Sequence, residues 1–85
     1  MGRLNPYKEV NVYDSILSGQ NWAYVRRVAD VSQSAAAMSL NISVGYLSCI
    51  ERGVKRPSIP VLLRAADFYN VTSDYLLGRT ERPRG

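Results

Sequence analysis

This chain has no histidine and a single cysteine, Cys49. Without imidazole it lacks the commonest general base and metal ligand. One thiol cannot close an internal disulfide and gives no sign of an oxidising compartment. Acidic side chains are few as well: 7 Asp and Glu stand against 11 Lys and Arg. The acids are scattered along the chain and form no pair spaced for acid–base work. No apolar run is long enough for a membrane span or a signal peptide. Internal repeats and low-complexity tracts are missing too. We therefore expect no enzyme, no metal, no cofactor, no membrane partner and no evident small-molecule ligand.

What is present suits one small domain. Of the 85 residues 46% are hydrophobic, enough for a compact core shared by several short helices. The net charge of +4 makes the surface attractive to polyanions. The stretch 32–51, SQSAAAMSLNISVGYLSCIE, reads as two short helices joined by a tight turn. Ser32 can cap the first, and Ala35, Ala36, Ala37, Met38 and Leu40 favour helix. Asn41 stands where that helix should stop, being the non-glycine residue that best tolerates a left-handed backbone. Ser43 can cap the second, with Ile42 and Leu47 placed as a hydrophobic staple. Leu47 and Ile50 then share a face. Small Ala37 sits where two closely crossing helices would meet.

The flanks read in the same way. Val12, Tyr13, Ile16 and Leu17 recur at helical spacing and predict a short helix over 12–18. Gly19 and Asn21 predict a break, with Asn21 capping a helix whose inner face is Trp22, Val25 and Ala29. Gly53 is placed to end the second helix of the central pair in a left-handed turn, and Pro57 prevents its continuation. Ser58 caps a further helix with Pro60 in its first turn and Ile59, Leu62, Leu63, Ala66 and Tyr69 as its inner face; Phe68 falls off that stripe. Asn70 stops it. Thr72 caps a last helix over 73–77, with Val71 and Leu76 as its staple, and Gly78 ends it. The basic tail 79–85 is expected to be flexible.

These residues at these spacings resemble a known family. Ser32-Gln33, Tyr46-Leu47-Ser48, Ile50-Glu51, Gly53, Arg56-Pro57-Ser58 and the run 71–78 are similar to the Cro/C1-type, or XRE, helix-turn-helix transcriptional regulators of bacteria and phages. The resemblance spans about 22–78. It implies an all-α, five-helix lambda-repressor-like domain over 21–78, with an extra short N-terminal helix. The segment 1–20 is an N-terminal extension: a packing strap, a dimer contact, or a basic arm on DNA using Arg3 and Lys8. An arginine at the position of Arg26 commonly ties its helix to the glutamate that ends the recognition helix, here Glu51. A bidentate Arg26–Glu51 ion pair is therefore expected.

The resemblance further implies a sequence-specific, double-stranded DNA-binding regulator, a repressor by expectation, acting in a bacterial or phage-infected cytoplasm. It would read the major groove with helix 43–52 as a homodimer on an inverted repeat. Matched position by position, the base-facing residues are Val44, Gly45, Ser48 and Cys49. Gln33, Ser43, Tyr46, Arg52, Lys55 and Arg56 are expected on the DNA backbone, with Gln33 also bracing the recognition helix. None of the four base-facing residues is the Arg, Lys, Gln or Asn that bidentate readout wants. The alternative is a protein-interaction module of the same fold, such as an antitoxin or a regulator of another DNA-binding protein. With the chain ending at Gly85, we expect a small stand-alone regulator or an excised DNA-binding fragment.

Overall fold

The computed structural model describes residues 13–85. Its described residues form five helices and no strand: α1 (Ser15–Val28), α2 (Gln33–Leu40), α3 (Val44–Glu51), α4 (Ile59–Tyr69) and α5 (Ser73–Leu76). This is the all-α, five-helix lambda-repressor-like architecture. Arg3 and Lys8 of the expected arm lie outside the described residues.

Side-chain oxygens start every helix. Asp14 accepts from the Leu17 N–H, Ser32 from Ala35, Ser43 from Tyr46, Ser58 from Val61 and Thr72 from Tyr75. Each such cap satisfies an orphan donor of a first turn and contributes about 0.5–2 kcal/mol. Left-handed residues end two of them: Asn41 at φ 59° and Asn70 at φ 56°. Gly53 at φ 76° follows α3 and Gly78 at φ 78° follows α5. After α3 the Val54 N–H donates to the Cys49 carbonyl at 2.8 Å and Gly53 to Ile50 at 3.0 Å, the paired bonds of a Schellman turn.

The N-terminal half departs from expectation. The break at Gly19–Asn21 does not exist; a single helix, α1, runs through it and across the expected domain boundary at 20/21. Packing explains both residues. Gly19 is buried, and a Cβ there would stand 2.6 Å from the Ile50 and Glu51 carbonyl oxygens. Gly19 thus lets α1 cross directly over the C-terminal end of α3. Asn21 sits inside α1 and does not cap it. Its amide donates to the Tyr75 carbonyl at 2.8 Å, while Ser18 Oγ and Trp22 Nε1 both donate to the Leu76 carbonyl, the latter at 3.0 Å. Three side chains of α1 therefore serve the orphan carbonyls that end α5.

The core is Trp22, Leu40, Leu47, Ile50 and Leu76, all essentially inaccessible, joined by Val25, Ala36, Ala37, Val61, Leu62, Ala65, Tyr69 and Tyr75. Each large apolar side chain buried there contributes about 1.5–3 kcal/mol. Buried Ala36 and Ala37 let α2 lie close to its neighbours. Ala29, expected inward, is exposed because it already terminates α1. On α4 the inner face is Val61, Leu62, Ala65 and Tyr69, one step round from the expected stripe. Ile59 and Leu63 are therefore exposed, as is Phe68. The tail does not hang free. The Pro83 carbonyl accepts from the Thr72 N–H at 2.8 Å, and Arg84 Nε donates to the Asn70 carbonyl at 3.0 Å. Both backbone groups are left over where α4 turns into α5, so the tail supplies partners they otherwise lack.

Candidate nucleic-acid interface

α2 and α3 meet through a three-residue turn, 41–43. Asn41 donates its N–H to the Met38 carbonyl at 3.1 Å, and Ile42 donates to Ala37 at 3.0 Å. Ser43 then opens α3 by capping it. Leu47 and Ile50 fasten α3 to the core. The opposite arc stays open: Val44 is 43% exposed, Gly45 is exposed, and Ser48 and Cys49 are half-buried. Among the described residues nothing lies within 4 Å of the place a Gly45 Cβ would take. A glycine inside a helix costs about 1 kcal/mol relative to alanine. No contact among the described residues explains this one.

A charged clamp holds the far end of α3. Arg26 Nε donates to Glu51 Oε2 at 2.7 Å and its Nη2 donates to Oε1 at 3.1 Å. Arg26 Nη1 donates to the Val31 carbonyl at 2.9 Å. Gln33 Nε2 completes the set by donating to Glu51 Oε1 at 2.9 Å. Both charged side chains are largely covered, 14% exposed for Arg26 and 5% for Glu51. The hydrogen bond that Arg26 donates to Glu51 raises the Arg26 pKa above its already high value, against the opposing effect of burial. α1, α2 and α3 are thereby joined at one carboxylate. Gln33, expected to brace the recognition helix and to meet the DNA backbone, gives one of its two amide N–H groups to this clamp.

The basic loop after α3 is held by Tyr46. Its hydroxyl donates to the Arg56 carbonyl at 2.9 Å and accepts from the Ser58 N–H at 2.9 Å. Sequence reasoning placed Tyr46 on DNA and missed this brace; its spacing of 12 residues from Ser58 carries no local signal. The Arg56 guanidinium lies over the Tyr13 ring, 5.6 Å from its centroid, and Lys55 is exposed. Arg52 turns back along α3: its Nε donates to Ser48 Oγ at 3.2 Å and its Nη2 to Cys49 Sγ at 3.5 Å. Among the described residues no group of carboxylates and thiols could hold a metal ion, and no helix is long and apolar enough to cross a membrane.

This arrangement has known counterparts. A helix-turn-helix family model matches residues 24–76. The chain belongs to this family, in its Cro/C1-type branch. A curated relative is the HTH-type transcriptional regulator ImmR of Bacillus subtilis (strain 168), 40% identical over 63 residues, covering 74% of this chain and 50% of that protein. The chain thus spans about half the length of this relative. Among solved structures, the P22 c2 repressor in complex with a synthetic operator superposes with a TM-score of 0.71 at 24% identity, over 74% of this chain and 96% of that one; this shows the fold. A SinR/SinI protein complex matches with a TM-score of 0.65 at 32% identity, over 69% of this chain and 58% of that one.

Proposed function

We propose that the chain is a sequence-specific regulator of transcription, in expectation a repressor, that inserts α3 into the major groove of double-stranded DNA. The observation that carries this is α3 itself. Two other helices clamp it at Glu51, yet its outward arc at Val44, Gly45, Ser48 and Cys49 stays open. Small side chains on that arc suit close approach to base edges, and Val44 suits a thymine methyl. Ser43 stands at the helix N-terminus, where free N–H groups favour a phosphate. Tyr46 fixes the loop that presents Lys55 and Arg56 to the backbone.

The protein acts as a homodimer in this reading, because one domain covers one half-site and two-fold partners read an inverted repeat. A bacterial or phage-encoded cytoplasmic protein is the natural setting. One observation favours a second reading, a protein-interaction module: none of the four arc residues is an arginine, lysine, asparagine or glutamine.

Salt titration of duplex binding separates the two. We expect the logarithm of affinity to fall linearly with the logarithm of salt. A Lys55→Ala, Arg56→Ala variant should lower that slope by about one for each phosphate it no longer neutralises. Absence of duplex binding at low salt would favour the interaction module.

A further inference from the structure

We infer that Arg52 is the base-reading residue of this helix, presenting the end of its guanidinium to a guanine in the major groove. This rests on the DNA reading above, and it replaces the phosphate contact expected for Arg52 from sequence.

Three observations lead there. First, Arg52 keeps right-handed helical backbone angles, φ −87° and ψ −2°, so it continues the helical register of α3. At about 100° per residue it falls in the middle of the open arc, between Ser48 on one side and Cys49 on the other. Second, its side chain is exposed but runs back along the helix rather than away from it. Helical side chains lean toward the N-terminus, and this one lies over Ser48 and Cys49 with Nε and Nη2 each engaged. Third, those two nitrogens are one edge of the guanidinium. The fork formed by Nη1 and the outer hydrogen of Nη2 has no partner among the described residues. That fork matches the O6 and N7 acceptors of guanine. A small neighbour makes this track: a longer side chain at Ser48 would occupy the space the arginine crosses.

The arrangement supplies what the four arc residues lack. Holding one edge of the guanidinium on the helix lowers the conformational freedom given up when the other edge binds. Lysine in its place has neither the fork nor the second edge.

The test uses a duplex carrying the chain's selected site and a panel in which each base pair is changed in turn. Affinities are measured for the wild-type chain, Arg52→Ala and Arg52→Lys. We expect the wild type to lose about 5- to 150-fold in affinity when one particular G·C pair is changed. Arg52→Ala should abolish the preference at that pair and keep the preferences elsewhere, and Arg52→Lys should not restore it. Ser48→Ala should weaken the same preference without removing it. Equal weakening by Arg52→Ala on every duplex, with a lower salt slope and recovery in Arg52→Lys, would make Arg52 a phosphate contact and overturn the proposal. Unchanged preferences in Arg52→Ala would overturn it too, leaving the groove reading intact. A wild-type chain with no preference at any pair would instead remove the groove reading, and the proposal with it.

Discussion

Glu51 receives hydrogen bonds from two other helices, and its replacement isolates what that clamp contributes. Glu51→Gln removes the charge facing the largely covered Arg26 guanidinium. A hydrogen bond involving a charged group contributes about 1.5–3 kcal/mol, and we expect a loss of that size in urea denaturation. Unchanged stability would mean the clamp is idle. Tyr69 offers a second single-residue test. Its hydroxyl is buried without a partner among the described residues, and burial first, the Glu51 carboxylate second, push its pKa up to about 12 from 10.0, with Arg26 opposing. The folded chain therefore keeps a proton that the unfolded chain loses. Ionisation of this group therefore leaves stability untouched below about pH 10 and lowers it as pH rises toward 12. Denaturation across that range should show the decline, and Tyr69→Phe should flatten it. At neutral pH, Tyr69→Phe should be neutral or stabilising by up to about 1 kcal/mol, since it removes an unpaired buried hydroxyl.

At the scale of elements, the junctions of α2, α3, α4 and α5 were legible because caps are local chemistry. Ser32, Ser43, Ser58 and Thr72 bond within three residues of themselves, Asn41 takes the left-handed turn expected of it, and Asn70 stops its helix as expected. α1 was not legible. Gly19 and Asn21 look like a stop signal, yet their reasons lie at Glu51 and Tyr75, more than thirty residues away for one and 54 for the other. The brace from Tyr46 and the placement of Arg52 escaped for a related cause: side-chain direction is set by packing, whereas spacing sets only the face. The Arg26–Glu51 contact could be anticipated only through family likeness, because 25 residues separate its partners. Gly19→Ala tests the crossing of α1 over α3. Helix propensity alone would favour alanine by about 1 kcal/mol. The carbonyl oxygens 2.6 Å from the new Cβ reverse the sign. We expect a destabilisation of about 1–3 kcal/mol, read from the shift in thermal midpoint.

At the scale of the whole molecule, a net charge of +4 and a clamped, open helix describe a body suited to a polyanion with a readable groove. The most direct measurement is selection from a random double-stranded DNA library at near-physiological salt, with the Lys55→Ala, Arg56→Ala variant run beside the wild type. We expect an inverted repeat to be enriched by the wild type, with half-sites about 34–36 Å apart, and to vanish with the variant. Retention of DNA without enrichment of any sequence, or no retention at all, would contradict a sequence-reading α3.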